Sequence, residues 1–306
     1  METSVKKKLR QAPLVHAVIH IKVTTVPSLS AMSEELENTI HARMIKEHFP
    51  EKIISTANTH QFFFEAAADK EPEVKQNKKT EKRLLFRASG GQKLIEISSL
   101  ENGITSIIFK TTNYIGHDDF FNDVNNLLQS LLETVPDLSS SLLKSTSIRY
   151  INTLVPKSGH GLSEFVSEGV LPLALTKFQN KSHVIGVSAK QIKTAENQTL
   201  NVRFEELRSL QSKVTKVLPD DLLEQDQKCG LTINGHDDWR SMTSETYGML
   251  DIDHSCIFID SPIINKKQIM EKITELYNSS NEVFWCIISE TAKEAWGYEE
   301  ENINVE

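Results

Sequence analysis

Asp251 and Asp253 lie two residues apart in an alternating run from Tyr247 to Ile259. On a strand both carboxylates then share one side, about 7 Å apart, with His254 opposite. Such a pair could hold a divalent cation for phosphoryl transfer. It could equally hold a neighbouring Arg or Lys. Arg149, Tyr150 and Asn152 lie mid-chain in Ser147, Ile148, Arg149, Tyr150, Ile151 and Asn152. A guanidinium suits bidentate recognition of carboxylate or phosphate, so these three are candidate binding residues. The competing reading is a bond network that joins two halves of the molecule, with Arg149 paired to an acid.

Other residues carry weaker signals. Gly-His-Asp-Asp occurs at 116–119 and at 235–238. These residues could ligate a metal, but they are also what a helix N-terminus and a turn require. His16 and His20 share one side of the first strand with Lys22. They are about 13 Å apart, too far for one ion, and are expected on a solvated or open concave surface. Lys75, Lys78, Lys79, Lys82 and Arg83 form a basic cluster in a polar run. The cluster could touch an acidic partner, or be a solvated loop. Cys229, Cys256 and Cys286 are odd in number and lack a Cys-x-x-Cys, which speaks against a disulfide framework or zinc knuckle; they read as core residues. No glycine-rich phosphate loop or Gly-x-Ser-x-Gly elbow occurs.

The elements that must position these residues follow from periodicity. Residues 12–24 alternate, with Val15, Ala17, Ile19, Ile21 and Val23 as the core side. Ser30 or Ser33 caps a helix to about His48, with Met32, Leu36, Ile40 and Met44 as its stripe. Strands are predicted over 61–68, 83–88, 93–98 and 104–112, with a polar loop over 69–82 and a turn at Gly90 and Gly91. The clearest helix starts at His117 and carries Phe120, Phe121, Val124, Leu127, Leu128, Leu131 and Leu132. A central strand over 143–156 opens the second half. A short helix, a hairpin about Glu196 and Asn197, strands over 229–234 and 247–259, and a helix from Asn265 follow. Residues 208–227 read as helix or loop. Ser279, Ser280 and Asn281 are candidate breakers of the last helix. The acidic tail from Glu299 reads as frayed.

Each half therefore runs strand, helix, antiparallel strands, helix. The expected fold class is α+β, two pseudo-repeats around curved antiparallel sheets. It covers residues 1–140 and 141–306 in one compact unit and is similar in arrangement to helix-grip and TATA-binding-protein-like folds. That likeness concerns architecture alone. The chain has 306 residues, 39% hydrophobic, with a formal net charge of −8. That size buries a core without metal or disulfide, and the charge argues against duplex nucleic acid as main partner. With no apolar run near 20 residues, the reading is a soluble cytoplasmic protein with no membrane contact.

Taken in order, the Ala12-Pro13-Leu14 strand, Tyr114 before the Phe120–Phe121 helix, the Arg149-Tyr150-Ile151-Asn152 strand, Leu250 to Asp253, and a helix closing in Ala295-Trp296-Gly297 form a pattern. It resembles a sporadically distributed bacterial family of uncharacterised proteins. The resemblance covers nearly the whole chain and brings no activity with it. The patchy distribution implies carriage on mobile elements or in defence-type gene cassettes. The function expected is a non-enzymatic binding or interaction module without a cofactor. A protein partner is expected, with a second copy of the chain as a further candidate. The alternative is a metal-dependent phosphodiesterase or nuclease-like enzyme using Asp251 and Asp253. A third reading is single-stranded nucleic-acid binding on the sheet face.

Overall fold

The computed structural model describes residues 3–65, 73–100, 103–157, 159–174 and 184–304. Its strands are β1 (Thr3–Leu9), β2 (Leu14–Thr24), β3 (Glu51–Glu65), β4 (Glu73–Arg87), β5 (Lys93–Leu100), β6 (Ile104–Thr111), β7 (Leu143–Leu154), β8 (Ile185–Ala195), β9 (Gln198–Arg208), β10 (Thr246–Ile257) and β11 (Tyr298–Asn304). Its helices are α1 (Pro27–Ser30), α2 (Glu34–Lys46), α3 (His117–Thr134), α4 (Leu162–Phe165), α5 (Lys266–Ile287) and α6 (Glu290–Ala295).

β3-β4-β5-β6-β2-β7-β10-β9-β8 form one sheet, every neighbour antiparallel. The architecture is α+β, as the element order predicts. β2 and β7 pair at its centre, and each half runs outward from there in the same way. The strand next to each central strand is the last of its meander, β6 in one half and β10 in the other, and a long helix follows it directly. The stretch Ser145 to Thr153 on β7 thus sits between the halves.

Alternation along the strands gives the sheet two unlike faces. Ala17, Ile19, Ile21 and Val23 meet Ile107, Phe109, Ile148 and Tyr150 on one face, under the apolar stripes of α2, α3 and α5. Leu200, Val202, Phe204, Leu250 and Ile252 extend this helix face below α4 and α6. α2 starts at Ser33, whose Oγ accepts from Leu36 N at 3.1 Å. Val15 departs from the expected core set. A register shift between Leu14 and His16 turns it to the other face, beside Ile151.

Other departures have physical reasons. The polar residues 73–82, expected in a loop, lie in β4, which pairs with β3 along fifteen residues each. Backbone pairing supports such a strand, and hydrophobic periodicity cannot reveal it. The rest of the expected loop, 69–72, lies outside the described residues. Residues 229–234 do not form a strand; a 3-10 turn at Gln227–Cys229 leads into irregular chain. α5 runs unbroken through Ser279–Asn281, and the buried Ser280 satisfies its hydroxyl within the helix by donating to Leu276 O at 2.9 Å. The acidic tail is strand β11, paired with β1 so that Lys7 and Lys8 face Glu300 and Glu299. No helix among the described residues is long and apolar enough to cross a membrane.

Candidate functional site

The second face of the sheet is crossed by residues 209–245, which leave β9 and return to β10 as a strap. Its base is closed by Ser209 N donating to Glu245 O at 2.8 Å. Val214, Val217, Leu218, Leu222, Trp239 and Met242 pack it onto Val15, Ile151, Tyr247 and Met249. Farther along, Cys229 and Leu231 pack on Ile53, Leu85 and Leu94. The ambiguous 208–227 region is thus irregular chain held by burial, with a 3-10 turn at Asp220–Leu222.

Polar clamps tie the strap to one strand after another. Tyr247 Oη accepts from Lys216 N at 2.9 Å and Thr215 N at 3.2 Å, and donates to Lys216 O at 3.1 Å. Lys216 Nζ lies 3.0 Å from the buried Glu205 of β9. Asp221 reaches Arg149 of β7. Glu224 reaches Lys110 of β6 and Arg83 of β4, both at 2.9 Å. Ser55 of β3 donates to Asp226 at 3.2 Å. Glu96 shares Arg83 and Lys110 with Glu224. Its burial opposes its charge, but the two cations prevail and hold its pKa down at about 2.

Arg149 is the middle clamp. Its Nε and Nη2 donate to Asp251 at 2.9 and 2.7 Å. Nη1 and Nη2 also donate to Asp221 at 2.6 and 3.1 Å. Four of its five N–H groups are thereby used on two carboxylates. Burial opposes the guanidinium charge, yet the two acids raise its pKa above the usual value. The same bonds, opposed by burial, lower the pKa of Asp221.

Asp253 stands differently. It lies beside Arg149 in register, on the same face as Asp251. Burial raises its pKa, the Asp251 charge adds to the rise, and Arg149 and a hydrogen bond from Asn201 work against it. It lines a cleft of about 450 Å³ with Arg149, Gln191, Asn201, Arg203 and Asp221. Beyond the strap, the same face continues in two rows read from the register. One holds His20, Ser147, Ser255, Thr199 and Lys193; the other holds Ser98, Ser106, Lys22, Ser145 and Ile257, of which Ser98 and Ser106 are buried, so the open part runs from Ser147 and Ser145 towards β8. Short hydroxyl side chains give these rows little relief. They end in the exposed aliphatics Ile257, Ile259 and Ile263, with Leu142 bridged to Ile263.

The candidates from sequence divide between the faces. Arg149, Asp251 and Asp253 converge on the strap side. Tyr150 is on the helix face, buried, with its ring edge-on to Tyr114 and Tyr277 at 5.8 and 6.2 Å. Asn152 is buried as well. Neighbours on a strand point oppositely, so Arg149 and Tyr150 cannot read one ligand together. Asp251 and Asp253 do share a side, but Arg149 grips Asp251 through both oxygens. His16 and His20 are on the strap side, yet neither is solvated: His16 is buried, and His20 Nε2 lies 2.5 Å from Ser106 Oγ. Burial lowers both pKa values to about 4, helped by Lys110 at His16 and by Lys22 at His20.

The two Gly-His-Asp-Asp copies do not meet. His117 stacks on Phe121 and Tyr277 at the start of α3, whereas Asp238 pairs with Lys157 in the strap. Among the described residues no group of three or more His, Cys, Asp or Glu could hold a metal ion. Cys229 and Cys256 are buried as expected, and Cys286 is exposed. Of the basic cluster, Lys82 pairs with Glu37 and Arg83 is inside the network; the side chains of Lys75, Lys78 and Lys79 lie outside the described residues. The clamp residues Glu96, Lys110, Glu205 and Glu224 were missed by sequence reasoning. The isolated charges Glu96 and Lys110 inside apolar strands were the available signal. No protein-family model matches the chain, and no curated protein or solved structure matches it either.

Proposed function

We propose that this chain is a non-enzymatic binding module that takes a partner protein on the part of the strap-side face the strap leaves uncovered. One observation carries the reading: the strap neutralises Arg149, Arg83 and Lys110 with its own acids, and beyond it lies a low polar surface rimmed by exposed aliphatics. Protein interfaces combine an apolar patch with a polar rim in this way. Among the described residues no aromatic ring stands on the uncovered part, where single-stranded nucleic acid would need stacking platforms. The family resemblance, with its mobile-element or defence setting, fits a partner encoded nearby.

Ser147 is central to the uncovered rows, so Ser147→Arg should block docking without touching the core. A native mass spectrum of the protein drawn gently from its host is expected to show a stoichiometric protein partner with wild type and a lone chain with Ser147→Arg. A lone wild-type chain, or a partner kept by Ser147→Arg, would refute the reading. The alternative, a metal-dependent phosphodiesterase, finds its support in Asp253, which faces the cleft with a raised pKa. It requires Arg149 to release Asp251. Tight Mn2+ binding by calorimetry, lost in Asp253→Asn, would favour it.

A further inference from the structure

Asn234 and Gly235 adjoin in the far half of the strap, in irregular chain between two fixed points. Upstream, Thr232 N donates to Gly91 O at 2.8 Å; downstream, Trp239 O accepts from Val214 N at 2.9 Å. Asn234 and Gly235 are both exposed. Among the described residues neither the Asn234 side-chain amide nor the Gly235 N–H makes a hydrogen bond. Packing explains the glycine: a Cβ at Gly235 would stand 2.9 Å from Cε3 of the buried Trp239 ring. An asparagine followed by glycine sets a side-chain carbonyl carbon within a few bond rotations of a main-chain nitrogen that no Cβ shields. Regular structure or hydrogen bonds hold such groups apart, and here neither does.

We infer that Asn234 is a site of spontaneous deamidation, a modification that needs water alone. Gly235 N gives up its proton to solvent and attacks Cγ of Asn234. The N–Cγ bond forms, the Cγ–Nδ2 bond breaks, and Nδ2 leaves as ammonia with a proton from solvent. The product is a five-membered succinimide. Water then adds to one of its two carbonyl carbons. Opening at Cγ gives aspartate; opening at the main-chain carbonyl gives isoaspartate, with one more carbon in the main chain. Nothing is oxidised or reduced. Either product adds a negative charge close in sequence to Asp237 and Asp238. Isoaspartate also lengthens the chain between the Thr232 and Trp239 anchors, which slackens the far half of the strap. Asn278, followed by Ser279, contrasts with this site: it lies inside α5, where main-chain N–H groups are committed to the helix. The inference is independent of the partner-binding reading above.

Trypsin isolates the site, because cleavage after Lys228 and Arg240 releases residues 229–240, in which Asn234 carries the only side-chain amide. The full folded chain is kept at pH 7.5 for weeks, and this peptide is weighed and resolved by chromatography at intervals. It is expected to gain the mass of an amide-to-acid change and to split into two peaks, one of them labelled by an isoaspartyl methyltransferase. The folded chain should convert within about tenfold of the rate of the chain in guanidinium chloride, since no protecting structure has to open first. Conversion should speed up at pH 8.5, because Gly235 N must lose its proton. Gly235→Ala should slow it severalfold in guanidinium chloride, where crowding against Trp239 no longer counts. A folded chain that keeps its amide while the denatured chain loses it overturns the inference, and so does an amide kept in both. Conversion indifferent to pH, or as fast in denatured Gly235→Ala, overturns it too, because no succinimide step would then be involved.

Discussion

Acidification should unfold this protein earlier than its carboxylates alone would require, through His16 and His20. Both pKa values fall from 6.5 to about 4 in the folded chain. A folded-state pKa below the unfolded one means the unfolded chain binds more protons between the two values. Stability is therefore full above pH 6.5 and is lost as pH falls from 6.5 towards 4. The surroundings explain the direction. His16 is buried near Lys110 and Arg149, with Glu224 only partly opposing; His20 is buried near Lys22 and Lys110, with Glu96 opposing. At pH 5 the linkage amounts to about 2 kcal/mol per histidine, about 4 kcal/mol for the pair. That is a large share of a stability of roughly 5–15 kcal/mol. His254 shifts in the same direction and adds to it. Glu96, whose pKa is lowered from 4.5 to about 2, acts only at lower pH. Urea unfolding at pH 7.5, 6.5, 5.5 and 5.0 measures the slope, and His16→Gln should remove about half of the loss relative to its own value at pH 7.5. A wild-type stability that changes by less than about 1 kcal/mol from pH 7.5 to 5 would refute the reasoning. Imidazole resonances of both histidines titrating near the ordinary value would do the same.

Three further outcomes follow from the clamps and the core. Arg149→Met leaves Asp251 buried without its cation and should cost about 3–5 kcal/mol in urea unfolding, much of it recovered by adding Asp251→Leu. Tyr247→Phe removes the hydroxyl that serves three backbone groups of the strap. It should cost about 1–3 kcal/mol and speed amide exchange at Thr215 and Lys216 before the rest of the chain. A Cβ at Gly248 would stand 2.7 Å from the buried Phe204 ring, so Gly248→Ala should lower the stability by about 1–3 kcal/mol, and Phe204→Leu in the same chain should relieve part of it.

Period-two alternation in the sequence determined β2, β7 and β10 and the side that their residues take, except at Val15, where a register shift intervenes. That is why Ala17, Ile19 and Ile21 were readable as core, and why Asp251 and Asp253 were readable as neighbours on one side. The 3.6-residue stripe determined α3, and the order of elements determined the two similar halves. Tertiary structure alone decided what covers each face. The strap carries no periodic signal, because its residues are fixed by contacts with distant strands rather than by their own backbone bonds. That Arg149 pairs with an acid was one reading of the sequence; which acids it meets was not legible there. Its partners are Asp251, 102 residues away, and Asp221, 72 away, and only folding brings them within hydrogen-bond reach. Likewise the histidines of β2 looked solvated, yet His16 is buried on the strap side and His20 is held against Ser106 of β6. Which polar residue on an alternating strand meets water and which meets a counter-charge depends on the chain laid over it, and local sequence holds no record of that.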